Sequence, residues 1–232
     1  MAQRYARLLS KYAGSIVTGD CREILHRIPG ESIDLLLTDP PYGMRYRGKK
    51  WGKPIQGDGD LAWFRPFIRE AYRVLRRDTH AYLFCNEYGL TTFRAEMAAA
   101  GFKVKRLLVW VKDQHTAGDL GGDYANRTEY VLFGHKGRRL LAGHRDANVL
   151  FFKRAGRKRD HPTEKPEDML RYLIAKSSAP GELVLDPFAG SGTTCRAAKD
   201  LGRRFLGIEI DPTYAEIARR RVADPAGLRQ AA

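Results

Sequence analysis

The stretch Leu183-Val184-Leu185-Asp186-Pro187-Phe188-Ala189-Gly190-Ser191-Gly192-Thr193-Thr194 decides the fold. Three aliphatic residues end at Asp-Pro, two glycines bracket a serine, and threonines open a run with helical spacing. This reads as a short buried strand over Leu183 to Leu185, a tight turn, and a helix over Thr193 to Asp200. Downstream, Arg204 to Ile210 reads as a second strand and Pro212 to Val222 as a helix. Upstream, helical spacing runs from Pro166 to Lys176, with Pro166 in its first turn. Nearer the N-terminus the alternation repeats. Ser15 to Thr18 is strand-like and Arg22 to Arg27 helical; Ile33 to Thr38 is an apolar run cut off by Asp39-Pro40-Pro41. A helix over Leu61 to Leu75, a strand over His80 to Phe84 and a helix over Leu90 to Ala100, stopped by Gly101, follow. Lys103 to Val111 and Thr128 to Phe133 are rich in β-formers. Strands alternating with helices predict an α/β fold, a Rossmann-like doubly wound and mostly parallel sheet. One domain spans 1–232. Its halves, about 15–111 and 161–222, are separated by a loop-rich insertion at about 112–160.

The 232 residues carry 41 Lys and Arg against 27 Asp and Glu, a formal net charge of +14, and 43% are hydrophobic. That is enough apolar material for a core, so wholesale disorder is excluded. No run approaches the roughly 18 apolar residues of a membrane span, and the N-terminus lacks a signal-like apolar core. Cys21, Cys85 and Cys195 are too far apart for a zinc knuckle or a disulfide framework. No metal site and a soluble, cytoplasmic protein are therefore expected. The charge is concentrated. Arg45 to Lys53 holds five cations (Arg45, Arg47, Lys49, Lys50, Lys53) and no acid. Lys136 to Asp160 holds nine, Arg154, Arg157, Lys158 and Arg159 among them, against two acids. Both segments interleave aromatics (Tyr46, Trp51, Phe151, Phe152), a pattern suited to phosphates and stacked bases. Solvated basic loops are the plainer alternative.

Glycines at 190 and 192 would let a ligand approach the backbone, and the helix start supplies free N–H groups. Glu209 follows Gly192 by 17 residues, near the end of the next strand, where an acid can accept both hydroxyls of a ribose. A lone GxG says little, but strand, GxG, helix, strand and acid together indicate a nucleoside-containing cofactor. Cys195 occupies the third small-residue position of a dinucleotide fingerprint, and no GxxxxGK[ST] occurs. The second motif is Asp39-Pro40-Pro41-Tyr42. Two prolines stiffen the turn and remove backbone donors, leaving the Asp39 carboxylate, the Pro40 carbonyl and the ring of Tyr42 at a rigid mouth. Two acceptors and an aromatic face match the exocyclic amino group of a nucleobase.

With TDPPYG at 38–43 and DPFAGSGTT at 186–194, the chain resembles the amino-directed DNA methyltransferases that use S-adenosylmethionine. The order, DPPY first and glycine turn late, resembles their circularly permuted beta class. Gly19-Asp20-Cys21 and His161-Pro162-Thr163-Glu164-Lys165-Pro166 support it, and the likeness extends from about Gly19 to Val222. On this resemblance, 15–111 is a catalytic half, 112–160 a target-recognition insertion and 161–222 a cofactor-binding half. The cofactor pocket would comprise Asp186, Pro187, Phe188, Ala189, Gly190, Ser191, Gly192 and Thr193. Glu209 would hold the ribose hydroxyls and Ile210 pack on the adenine. Asp20 and Cys21 would lie at the adenine end, with the alternative that Asp20 merely caps a helix. His161, Pro162, Thr163 and Lys165 would line the methionyl end, with His161 a loop or capping residue rather than a catalyst, and Asp39 would also count among the cofactor-binding residues.

Asp39, Pro40, Pro41 and Tyr42 would receive a base flipped out of double-stranded DNA. Transfer would be a direct displacement, giving S-adenosylhomocysteine, with no covalent intermediate and no metal; no cysteine sits where a base-attacking nucleophile would. Asp at the first motif position resembles adenine-N6 enzymes, with cytosine-N4 or RNA methylation, or a non-catalytic nucleic-acid-binding scaffold, as alternatives. The short insertion makes a homodimer a natural way to enlarge the reading surface. The resemblance also implies a place beside the nucleoid and allows a cognate restriction endonuclease.

Overall fold

The computed structural model describes residues 12–43, 59–115, 121–122, 124–154 and 164–225. Eight strands form one sheet: β1 (Ser15–Thr18), β2 (Ile33–Thr38), β3 (Leu75–Cys85), β4 (Lys103–Val111), β5 (Thr128–Lys136), β6 (Val149–Phe151), β7 (Leu183–Asp186) and β8 (Arg204–Glu209). The helices are α1 (Cys21–Arg27), α2 (Phe64–Val74), α3 (Glu87–Ala100), α4 (Glu167–Ser177), α5 (Thr193–Asp200) and α6 (Pro212–Ala223). The strand order is β1-β8-β7-β2-β3-β5-β4-β6. The first five run parallel; β5 is antiparallel to both β3 and β4, and β6 is parallel to β4. The expected doubly wound sheet is present.

Period-two alternation within buried strands sorts the core into two layers. Leu36 faces one side with α1, α2 and α3, through Leu25, Phe64, Phe67 and Phe93. Leu35 and Leu37 face the other with α4, α5 and α6, through Met169, Leu173, Ala197 and Ala218. The chain leaves β7 through α5 towards β8, and leaves β2 through α2 towards β3, on opposite faces and in opposite directions. The seam between β7 and β2 is therefore the point where the winding reverses, the place where open α/β sheets form ligand crevices at the carboxyl ends of strands.

Some element boundaries differ from expectation. The strand expected over His80 to Phe84 begins at Leu75, because Leu75 pairs with Ile33 across a register break. Arg76 to Asp78 are exposed and polar, which hides this part of the strand from an apolar pattern. Pro166 caps α4 with extended backbone rather than occupying its first turn. β6 was not anticipated, as three residues inside a basic segment give no periodicity. Thr128–Lys136 lies inside the sheet between β3 and β4, so the 112–160 stretch includes a core strand. Among the described residues no helix is long and apolar enough to cross a membrane.

Candidate active site

The two motifs sit side by side across the seam. Leu35 and Leu36 of β2 pair with Val184 and Leu185 of β7. Just beyond, the Thr38 hydroxyl donates to Asp186 Oδ1 at 2.9 Å. Residues that are 148 positions apart in the chain are thus joined directly at the mouth.

On the glycine side, Gly190 and Gly192 both take positive φ, 50° and 84°. At Gly192 the requirement is packing. An added Cβ would lie 2.8 Å from the Ala218 Cβ and 2.9 Å from its Cα, so this glycine brings α6 against the turn. Asp186 is 4% exposed and its carboxylate accepts from Thr38 and from the Phe188 N–H at 3.2 Å. Burial pushes its pKa up to about 7 against these donors. Phe188 leans on Trp63 and Phe67, at 5.3 and 5.0 Å between ring centres, two neighbours that no motif announced. Ala189, Ser191 and Thr193 are buried, as is Pro187.

Glu209 reaches back to the turn. Oε2 accepts from Gly190 N–H at 2.8 Å and Oε1 from Asp211 N–H at 2.9 Å. A carboxylate has about four lone-pair sites, so acceptor capacity remains for a vicinal diol. Ile210 beside it is 41% exposed, an apolar surface next to a polar acceptor. This donor and acceptor set fits the ribose and base of a nucleoside. Asp20 joins the same edge through Gly19, whose N–H donates to the Glu209 carbonyl at 2.9 Å. Its carboxylate caps α1 through the Arg22 N–H and pairs with the Arg22 side chain, so the capping alternative describes its present contacts. Cys21 is buried in α1.

On the DPPY side, the Tyr42 hydroxyl donates to Asp39 Oδ1. Lys165 Nζ lies 2.8 Å from Asp39 Oδ2 and 5.4 Å from the centre of the Tyr42 ring. Burial raises the Asp39 carboxyl above the ordinary aspartate range; Lys165 opposes that and Glu129 adds to it. Tyr42 is held as the phenol by burial and by the Asp39 charge. Pro40 is buried and Pro41 half-buried.

Neighbouring residues staple the two sides together. Glu164 Oε2 accepts from the Ser191 hydroxyl and from Arg221 Nη2, each at 3.0 Å, while the adjacent Lys165 pairs with Asp39. Glu129 and Lys112, which sequence reasoning missed, extend the ion pairing beyond Lys165. No motif marks them, because they are brought in by strand pairing alone. All three thiols are free and buried. Burial pushes Cys21 and Cys85 up to about 12, and Cys195 well above the ordinary thiol range. Burial thus holds all three in the thiol form.

The site is thus an acidic, aromatic mouth and a glycine-turn crevice sharing one wall. A profile of the N6/N4 DNA methylase family matches residues 33–220. The chain is a DNA methylase of the N6/N4 family. It is 37% identical over 214 residues to YubD of Escherichia coli (strain K12), a protein named only as a methylase, covering 89% of both chains. It is 30% identical over 248 residues to the DNA adenine methyltransferase YhdJ of the same strain, covering 90% of this chain and 83% of YhdJ. The crystal structure of the M1.HpyAVI–SAM complex superposes with a TM-score of 0.70 at 26% identity, covering 89% of this chain and 98% of the other.

The expected DNA contacts divide. Arg45, Arg47, Lys49, Lys50, Lys53, Arg157, Lys158 and Arg159 lie outside the described residues, as do His161, Pro162 and Thr163. Arg154 is described. Its N–H donates to Asp113 Oδ1 at 3.0 Å and its guanidinium to Gln114 at 2.9 Å, tying the 152–154 segment to the end of β4. Arg138, Arg139 and Arg145 of the same basic stretch line a cavity of about 770 Å³ with Lys103, Lys105 and His135. That cavity lies at the end of β5 remote from the mouth, since Lys136 pairs with Thr79 whereas Tyr130 pairs with Cys85. Among the described residues, no group of His, Cys, Asp and Glu is arranged to hold a metal ion.

Proposed function

We propose that this DNA methyltransferase transfers a methyl group from S-adenosylmethionine to the N6 amino group of adenine in double-stranded DNA. The observation that carries the reading is the shared wall: Asp39 and Asp186 end neighbouring strands, bridged by Thr38 and by Glu164–Lys165. When bound, the cofactor supplies an electrophilic methyl group on a sulfonium.

The protein's part is to place and prepare the nucleophile. A base amino nitrogen is weak because its lone pair is delocalised into the ring. Asp39 and the Pro40 carbonyl would accept its two N–H bonds and draw the nitrogen towards tetrahedral geometry. The Asp39 charge then stabilises the nitrogen as it becomes cationic, and its carboxylate, or water, would take up the proton that the methylated amine sheds. Tyr42, its hydroxyl anchored on Asp39, offers its ring to a base extruded from the duplex. Glu209 and the turn over Asp186–Thr193 hold the nucleoside end of the cofactor, with Ile210 against its adenine, Asp20 at the adenine amino group and Lys165 near the methionyl end.

Adenine is favoured by Asp at the first motif position. The same two acceptors would serve cytosine N4, whose amino group also adjoins a ring acceptor nitrogen. The basic stretches around 45–53 and 153–159 would neutralise backbone phosphates, and a second copy of the chain would double the reading surface.

The test is to incubate the protein with unmethylated genomic DNA and labelled S-adenosylmethionine, digest to nucleosides, and analyse by mass spectrometry. N6-methyladenine, absent with Asp39→Ala, is expected. N4-methylcytosine would keep the mechanism and overturn the base assignment; no labelled nucleoside would overturn both.

A further inference from the structure

Asp39 ends a row of four charges. Lys165 Nζ stands 2.8 Å from Asp39 Oδ2 and 3.0 Å from Glu129 Oε2. Lys112 Nζ stands 2.8 Å from the other Glu129 oxygen. The two ammonium side chains are 8% and 7% exposed, and each carboxylate 21%. The residues come from the β2 mouth, the approach to α4, β5 and the end of β4, so the row exists only in the folded sheet. Glu129 Oε2 is buried, and the Lys165 ammonium is the cation set against it.

A lysine so close to Asp39 poses a chemical problem. The carboxylate is useful to a nitrogen turning cationic only to the extent that its charge is not already cancelled. In a low-dielectric site a single ammonium at contact distance would cancel most of it. Glu129 provides the counterweight. We propose that Glu129, seated by Lys112, is a positioning residue for methyl transfer: it divides the Lys165 ammonium between two carboxylates and leaves Asp39 oriented with net negative charge towards the target amine.

The inference rests on the function proposed above and deepens it. The charged and titratable groups facing Asp39 are Tyr42 from its own loop, Lys165 from the α4 approach, Glu129 from β5, Cys85 from the end of β3 and Asp186 from β7. Those facing Glu129 are Lys112 and Lys165, and its charge also reaches Asp39, Tyr42 and Cys85. Only the Lys112–Glu129–Lys165 arm is altered by the substitutions below.

The experiment measures kcat for methyl transfer to unmethylated genomic DNA across the acid limb of the pH profile, with cofactor affinity by calorimetry as the check on folding. Glu129→Gln hands Lys165 wholly to Asp39 and removes a neighbouring negative charge. Its kcat should fall on the order of 10- to 100-fold, as for a misplaced reacting group. Its acid limb should move to lower pH while cofactor affinity holds. Lys112→Met frees Glu129 to draw Lys165 away, so its limb should move to higher pH. Glu129→Asp should recover part of the lost rate.

Limbs that stay in place, or that move in the same direction, overturn the assignment even if rates fall. Should Glu129→Gln fail to bind cofactor, the direction of the Lys112→Met limb decides alone. A wild-type protein that transfers no methyl group to DNA overturns the parent reading and this one with it. An active wild type with unmoved limbs overturns the role of Glu129 only.

Discussion

Two adjacent strands end in the same dipeptide, and the two ends behave oppositely. Asp39-Pro40 closes β2 and Asp186-Pro187 closes β7. Asp186 is almost completely buried and its described partners are neutral, the side chains of Thr38 and Thr194 and a backbone N–H. Asp39 is half-open and meets a phenol and an ammonium. Neutral donors fix a carboxylate in place; a cation and a second acid set how much charge it can lend to something else. The dipeptide supplies the geometry of a strand end, and the neighbours decide how its carboxylate is held.

The largest effect separating the two ends is expected at Asp39. Asp39→Ala should lower methyl transfer by at least about 100-fold, the usual loss for a preorganised electrostatic contact in a transition state. Cofactor affinity should change little, and a comparable loss of affinity would mean that both ends belong to one binding site. On the glycine side the expectation reverses. Glu209→Gln should weaken cofactor binding by roughly 10- to 100-fold, the worth of charge-assisted hydrogen bonds, with a smaller effect on kcat at saturation. Calorimetry with the cofactor alone reads this without any DNA.

A third test concerns stability. The folded carboxyl of Asp186 binds its proton more tightly than the unfolded one, so ionisation works against folding. This loss accumulates as pH rises from the ordinary value of 3.8 to about 7 and then levels off. Asp186→Asn should therefore melt higher than wild type by a margin that grows across that window, whereas a constant margin would point to packing instead. The smallest effect is expected at Asp20. Asp20→Ala should cost about 1 kcal/mol by loss of the α1 cap, and Asp20→Asn should restore stability. If the Asn variant also loses cofactor affinity, the acid has a second role beyond its cap.

Much of this arrangement was legible in the chain, for identifiable reasons. Apolar runs broken by Asp-Pro mark strand ends wherever a strand is buried on both faces, so β2 and β7 were plain from their residues. The glycine turn and Glu209 announced each other by spacing, and the structure joins Gly190 N–H to that carboxylate. What stayed hidden follows a different logic. Glu129 lies in a β-rich strand whose polar residue looks like a solvent-facing position, and only the antiparallel pairing of β4 with β5 brings it to Lys112. Lys165 was expected near the cofactor from its motif, but its bond to Asp39 depends on a chain crossing that no local pattern encodes. The second glycine of the turn reads as room for a ligand, and the structure adds a packing requirement at Gly192 from the approach of Ala218, which spacing alone does not show.

The closure of the β4–β5 hairpin ties the edge of the sheet to the charge row. Val111 pairs with Thr128. Beyond them the Lys112 N–H donates to the Arg127 carbonyl at 2.9 Å, and Arg127 Nε returns a bond to the Lys112 carbonyl at 2.8 Å. Lys112 and Arg127 thus form a pair of latched posts at the end of the hairpin. One post, Lys112, also ends the charge row that leads to Asp39. The hairpin latch and the charge row therefore share a residue, so a change at Lys112 reaches both.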